Sequence, residues 1–430
     1  MKRFRPYVLR LEALLARLRS ERSETLQEKA AAALDGQPSD ALVSAVPVAH
    51  RRAGGTFFTG SELAEKAVTQ VSIPKKDGAM VFDPACGAGD LLIATARLLP
   101  VSASLHETLA SWGNKLAGTD VHATFVRATQ VRLALLALTK GAVDDGTRRL
   151  QLAKLMPHIR TGNGLRQAPV YKASAVVVMN PPFQQRNAPE EYEFGSGLVT
   201  NAAVFMANAI AHTTEGTAIS AVLPDVLRTG SRYRRWRDYV EAKCSIHTVQ
   251  PFGRFNSTVD VDVFLVHLSR DQTPTSSACW WKPAGLSERK TLSSQFDVFV
   301  GAVVPHRDPE TGPWCAYATA NSLPAWGHIA EIAVRRRYSG RVFTPPFVAI
   351  RRTSAPSDAD RAVATIVTGS RSVAVENHLI VCKPIDGTLQ KCRHLLRDLR
   401  SETSNAWLND RIRCRHLTVQ AIEQLPITFS

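Results

Sequence analysis

The chain has 430 residues, 44% of them hydrophobic, enough to bury a full core and, by length, to form two or three domains. Lys and Arg total 53 against 38 Asp and Glu, a net charge of +15, which suits a polyanionic partner such as nucleic acid as well as a solvated basic surface. The seven cysteines are scattered and odd in number with no Cys-x-x-Cys pair, so neither a disulfide framework nor a metal site is expected. No apolar run has the length of a membrane span, and Arg10, Glu12, Arg17 and Arg19 interrupt what would be an export signal; a reducing, cytoplasmic location is expected.

In chain order, residues 1–34 read as a helix, because Leu11, Leu14, Leu15 and Leu18 recur at helical spacing. Its polar face carries Arg10, Arg17 and Arg19, so it reads either as a helix packed on its own domain or as an arm for a partner or phosphates. Gly36 to Pro47 reads as a linker, which makes 1–48 a helical segment plus connector. Across 49–271, β-rich runs alternate with helical stretches. The expected strands are Ala79–Phe82, Leu116–Thr119, Ala175–Met179, Ala218–Leu223, Ile246–Gln250 and Val261–His267. Helices are expected at Leu91–Leu99, Ala123–Leu138, Ala202–Ala211 and Arg232–Ala242. That alternation predicts a doubly wound, mostly parallel α/β sheet. Residues 272–295, rich in Pro and Ser, read as a second connector. Residues 296–430 mix short strands (Val298–Val304, Val348–Arg352, Val373–Val375, Leu379–Val381) with helices at Leu389–Arg400 and Val419–Gln424, which predicts a separate α+β domain.

The chemistry-bearing motifs sit at expected strand ends. Asp83-Pro84-Ala85-Cys86-Gly87-Ala88-Gly89 follows the first strand and opens a helix. Its glycines let the backbone approach a ligand, and Asp83 can meet a cationic ligand group. Position 92, where a dinucleotide loop would carry its third Gly, is Leu, so phosphate binding is disfavoured. Asp120 ends the second strand, where a carboxylate can accept both hydroxyls of a ribose or cap the following helix. Asn163, in Thr161-Gly162-Asn163-Gly164, suits either the edge of an adenine or a plain turn.

The most specific signal is Asn180-Pro181-Pro182-Phe183 at the end of a strand. The two prolines fix φ and remove two donors, so the Pro181 carbonyl can face a pocket beside the Asn180 side-chain oxygen. Two convergent acceptors hold both N–H groups of a planar amine and aim its lone pair. Phe183 offers a flat face on which an extruded base can stack. Downstream, 228–254 carries seven basic residues (Arg228, Arg232, Arg234, Arg235, Arg237, Lys243, Arg254) against two acidic ones, interleaved with Tyr233, Trp236 and Tyr239. Residues 331–430 carry 16 basic and 9 acidic residues. Both stretches are candidates for phosphate contact, with Arg232 and Arg235 singled out. Pro224-Asp225…Glu241-Ala242-Lys243 imitates a nuclease pattern, but a strand exit and a following helix explain it.

In these motifs and their order, the chain resembles the gamma class of DNA amino-methyltransferases of restriction–modification systems. The carrying stretches are Thr56-Phe57-Phe58-Thr59-Gly60-Ser61-Glu62-Leu63-Ala64, Asp83–Asp90, Asp120, Asn180–Phe183, Gly216–Ser231 and Phe255. The resemblance implies the class I S-adenosylmethionine-dependent methyltransferase fold and S-adenosyl-L-methionine as cofactor. It implies a cofactor site built from Thr59, Asp83, Ala85, Cys86, Gly87, Gly89, Asp120, Asn163 and Asn180. Asn180, Pro181, Pro182 and Phe183 would be the catalytic group, and Phe183 and Phe255 the walls of a pocket for a flipped adenine of double-stranded DNA. Many members carry Asp where this chain has Asn163. In 341–427, Pro345–Arg352, Glu376–Val381 and Arg415–Val419 with Leu425–Ile427 resemble the target-recognition domains of the class. Any cleavage activity is expected on a separate restriction endonuclease, and Gln184–Gly197 is expected to move over the extruded base. The same tetrapeptide also suits RNA, protein glutamine or cytosine N4 as acceptor, and a DNA-binding subunit without catalysis is the remaining alternative.

Overall fold

In the computed structural model the described residues are all but 1, 22, 74–77, 145, 147–148, 193, 195–196, 257–258, 282–289, 414 and 430. Thus part of the 272–295 connector, three positions of the Gln184–Gly197 loop and Cys414 lie outside the described residues. The chain divides into two compact units: residues 1–228 with 232–279, and 280–430 with 229–231.

The first unit opens with helices α1 (Arg5–Ser20), α2 (Glu24–Leu34), α3 (Gln37–Ala45), α4 (Val48–Gly54) and α5 (Ser61–Thr69). The sequence predicts one helix over 1–34. The structure breaks it between Ser20 and Glu24, where Glu21 is extended and Ser23, also extended, precedes the first turn of α2. The expected linker at 36–47 is instead helix α3, whose Leu42 and Pro38 are buried. Pro at the start of a helix costs nothing, so the polar composition concealed a helix with an apolar side.

Next come β1 (Met80–Asp83), α6 (Asp90–Arg97), α7 (Leu105–Lys115), β2 (Leu116–Asp120), α8 (Ala123–Thr139), α9 (Leu152–Leu155), β3 (Ile159–Thr161), α10 (Ala168–Ala173) and β4 (Ser174–Met179). A short hairpin, β5 (Gln185–Asn187) and β6 (Leu198–Thr200), leads to α11 (Asn201–His212), β7 (Ala218–Pro224), α12 (Val226–Thr229), α13 (Arg234–Glu241), β8 (Cys244–Asn256) and β9 (Val259–Arg270). Seven strands form one sheet in the order β3-β2-β1-β4-β7-β9-β8. The first five run parallel, and the β8–β9 pair closes the edge antiparallel. This is the expected doubly wound, mostly parallel sheet. Its strand order reverses between β1 and β4, and in such a sheet the crevice beyond the carboxyl ends at that reversal is where ligands bind. The Gly loop leaves β1 there, and Asn180 leaves β4 beside it.

Helix α8 explains why the amino-terminal helices belong to this unit. It is apolar on all faces and buried almost throughout, from Phe125 to Leu138. A helix apolar all round needs cover on both sides. The sheet supplies one; α1 and α2 supply the other, with Leu11, Leu15, Leu18 and Leu26 buried. Of the two readings open for the first helix, the structure shows the one that packs on its own domain. At this contact Arg132 of α8 is 1% exposed and pairs with Asp90 at 2.8 Å. Its Nε donates to the Ala33 carbonyl of α2 at 2.8 Å.

The second unit holds a five-stranded sheet, β10 (Phe296–Val300), β17 (Leu379–Pro384), β14 (Phe347–Arg351), β15 (Ala364–Val367) and β12 (His328–Ile329), in that spatial order. A second sheet orders β13 (Arg335–Arg337), β11 (Trp314–Ala318) and β16 (Val373–Val375). Helices α14 (Leu389–Leu399), α15 (Glu402–Arg411) and α16 (Val419–Glu423) supply Leu395, Leu408 and Ile422 to a core with Phe296, Val348 and Ile380. The expected α+β composition is present. Among the described residues no helix is long and apolar enough to cross a membrane.

Candidate functional site

A cavity of about 260 Å³ opens at the sheet reversal. Its lining brings together Ala85, Gly87, Asp120, Asn163, Asn180 and Pro182 with Gly55, Phe58, Val121, Leu165 and Gln184. The residues expected from separate motifs therefore meet in one place, because parallel strands deliver their following loops to one edge of the sheet.

Each wall has a local cause. Gly87 sits at φ +53°, a conformation that disfavours a side chain, and its N–H donates to Asp120 Oδ2 at 3.1 Å. Asp120 Oδ1 accepts from the His122 N–H at 2.8 Å. Asp120 does not cap α8 itself, whose cap position is His122. Burial pushes the Asp120 carboxyl up to about 6, against the pull of those two N–H donors. Asp83 is 1% exposed, accepts from the Ala85 N–H at 3.0 Å and does not line the cavity. Its burial, reinforced by the nearby Asp120 and Asp90 charges, raises its pKa to about 8. Cys86 is buried under the loop, its N–H donating to the Thr119 carbonyl at 3.0 Å. Gly89, at φ +94°, is the cap of α6. Cys86 and Gly89 thus shape the loop from behind rather than face the cavity.

Asn163 lines the cavity, and its side-chain oxygen accepts from the Leu165 N–H at 3.0 Å. The turn reading of this residue is therefore realised, and its oxygen is engaged. Thr59 is not on the cavity wall; its Oγ1 accepts from Asn180 Nδ2 at 3.0 Å. That bond fixes which way the amide of Asn180 faces and leaves Oδ1 as the acceptor. The 56–60 segment is itself held at Gly60, whose N–H donates to Asp90 Oδ2 at 2.8 Å. Sequence reasoning gave Thr59 a cofactor contact; the structure gives it a hold on Asn180.

Beyond β4 the chain stays extended, and its side chains alternate. Asn180, Pro182, Gln184 and Arg186 line the cavity. Pro181 is buried, and Phe183 turns the other way to meet Phe255 edge to face, with ring centroids 5.7 Å apart. The two expected aromatic walls thus touch. The segment is braced by Thr200, whose Oγ1 donates to the Phe183 carbonyl at 3.0 Å and whose N–H donates to the Tyr233 hydroxyl at 2.9 Å. Within the loop expected to close over the extruded base, two described side chains pack on the rest of the unit. Tyr192 and Phe194 are buried, stacked at 5.4 Å, and both pack on Tyr239 of α13.

The basic stretch 228–254 divides in two. Arg232 and Arg235 are exposed and lie outside the cavity lining. Arg228 and Arg237 are structural: Arg228 is fully buried and pairs with Asp225 at 2.8 Å, and Arg237 donates to the Leu227 carbonyl at 2.9 Å. The same pair removes Asp225 from any nuclease role. Among the described residues no group of His, Cys, Asp and Glu could hold a metal ion.

A model of the family described as N-6 DNA Methylase matches residues 41–284, more than half of the chain. None of the curated proteins matches. Among solved structures, the chain is similar to the type IIG restriction endonuclease BpuSI, at 14% identity and TM-score 0.43, over 85% of this chain and 57% of that one. It is similar to the type IIL restriction–modification enzyme MmeI in complex with DNA, at 13% identity and TM-score 0.49, over 84% of this chain and 63% of that one. The methyltransferase subunit of the type I restriction–modification system from Streptococcus thermophilus matches at 17% identity and TM-score 0.35, over 50% of this chain and 45% of that one. The matches span less than two thirds of the length of each of these three proteins.

Proposed function

The chain belongs to the N-6 DNA methylase family, and from that premise we propose that it transfers a methyl group from S-adenosyl-L-methionine to N6 of an adenine extruded from double-stranded DNA. The observation that carries this reading is the fixed amide of Asn180 on the wall of a cavity that also holds the Asp120 carboxylate. The donor set fits the cofactor: a carboxylate for two ribose hydroxyls, a Gly loop for close approach and Pro182, Val121 and Leu165 as apolar walls for a purine.

S-adenosyl-L-methionine supplies a methyl group on a sulfonium, so its leaving group is a neutral thioether. The chain's residues orient what attacks it. Asn180 Oδ1 and the Pro181 carbonyl accept the two N–H bonds of the target amine and turn its lone pair toward the methyl carbon. Positive charge that would develop on that nitrogen during transfer would be stabilised by the same two acceptors. The nitrogen then loses a proton to water, so no strong base is needed. The base stacks on Phe183, displacing the edge contact of Phe255. Exposed Arg232 and Arg235 contact phosphates, and the second unit supplies further DNA contacts.

Incubating the protein with methyl-labelled cofactor and, in parallel, duplex DNA, RNA and a glutamine-bearing protein tests this reading. Label in DNA alone supports it. Label in RNA or protein alone, or in none, contradicts it.

A further inference from the structure

The cofactor's adenine presents an exocyclic amine that needs an acceptor when buried. The obvious candidate in the sequence, Asn163, already spends one lone pair of its oxygen on the Leu165 N–H. Two further side-chain acceptors on the wall are engaged as well. Asp120 accepts from two backbone N–H groups and is reserved for the ribose in the proposed site, and Asn201 Oδ1 takes Arg186 Nη1 at 3.4 Å. Asn180 Oδ1 serves the target amine in the proposed reaction. Gln184 differs: its Oε1 is buried and has no hydrogen-bond partner.

We infer that Gln184 is the residue that accepts the amino group of the cofactor's adenine. The inference rests on the reading of the cavity as a cofactor site. Two further observations support it. Gln184 stands two residues after Pro182 on the cavity side of the extended segment, the side away from Phe183 and Phe255, so it faces the cofactor rather than the target base. Its approach is also built in: a Cβ placed on Gly55 would lie 1.8 Å from Gln184 Oε1 and 2.8 Å from Pro182 Cβ. Gly55, at φ +58°, thus gives the space that the Gln184 side chain occupies. An acceptor on the segment that carries Asn180 ties recognition of the cofactor's base to the catalytic strand end. The backbone there is pinned, with the Gln184 carbonyl accepting from the Asn201 N–H at 2.8 Å.

The test is calorimetric and needs no turnover. S-adenosylhomocysteine is compared with its purine analogue lacking the 6-amino group, on the full chain and on Gln184→Ala and Asn163→Ala. The wild type is expected to prefer the amino ligand by about tenfold, the value of one well-placed buried hydrogen bond. Gln184→Ala should bind both ligands equally, whereas Asn163→Ala should keep the preference. If Gln184→Ala does not fold, Gln184→Met, which fills similar volume without an acceptor, gives the same reading. A preference that survives in the Gln184 variant, or that is absent from the wild type, overturns the inference while leaving the cofactor site standing. A wild type that binds neither ligand overturns the cofactor reading, and this inference with it.

Discussion

The two units put their surfaces to use in different ways. In the first, a parallel sheet carries β1, β2 and β4 to one edge, so Gly87, Asp120 and Asn180 meet in a cavity of about 260 Å³. In the second, two mixed sheets send their loops in several directions. A hollow of about 1230 Å³ there is bordered by Trp314, Arg335, Tyr338 and Arg371. Trp314 is 60% exposed, and the lining holds a single carboxylate, Glu331, beside the arginines. The contrast separates a place where topology forces side chains of distant motifs to converge from one where it does not.

The largest effect should come from the first unit. Asn180→Ala removes one of two acceptors that orient the amine, and the transfer step should slow roughly a hundredfold or more. Affinity for cofactor and for DNA should stay near wild type, as single-turnover rates beside calorimetry would show. An equal loss in binding would mean that the residue acts on the ground state.

Asp120→Ala should weaken cofactor binding about a hundredfold, because hydrogen bonds to a charged acceptor contribute about 1.5–3 kcal/mol each. The sign of the pH effect follows from the carboxyl, raised from 3.8 to about 6. Its anionic form accepts the hydroxyls, so affinity should be level above about pH 7 and fall about tenfold per unit below 6. Stability should run the other way. A raised carboxyl favours the fold at low pH, and that contribution is lost as pH rises through about 6. Asp120→Asn should therefore raise the Tm at pH 8 and leave it unchanged near pH 3, while abolishing the pH dependence of binding.

The smallest effect sharpens the other side of the comparison. Trp314→Ala should cost roughly tenfold in specific over non-specific DNA affinity and nothing in cofactor affinity. Fluorescence titrations with matched and scrambled duplexes would measure it. A change in cofactor affinity instead would break the division between the units.

The sequence made the first unit readable because its rules are local and repeated. The Val176-Val177-Val178 run marks a buried parallel strand, and the Asn-Pro-Pro-Phe exit can hardly be placed elsewhere. What escaped depended on contacts between distant segments. Thr59 was assigned to the cofactor, yet it holds Asn180, 121 residues away. Arg228 and Arg237 looked like phosphate ligands until burial showed them bound to Asp225 and Leu227. Charge type alone does not tell a solvated arginine from a buried one. Gln184 carried no signal except its place two residues beyond Pro182, a period-2 clue that becomes useful only once the segment is known to be extended. Helix α3 was hidden because Pro38 and the polar Gln37, Ser39 and Asp40 imitate a linker. In the second unit, β11, β15 and α15 were not foreseen, since short strands between Pro and Gly turns carry little periodicity.

In the proposed reaction the amide of Asn180 and the cavity of Asp120 together deliver a methyl group to an adenine amine. Digestion of duplex DNA to nucleosides after reaction with methyl-labelled cofactor, followed by mass spectrometry, tests it most directly. The expected labelled product is N6-methyladenosine (as the deoxynucleoside), formed by the wild type and nearly absent with Asn180→Ala. Label on the cytosine amine, or equal N6 labelling by the Asn180 variant, would contradict it.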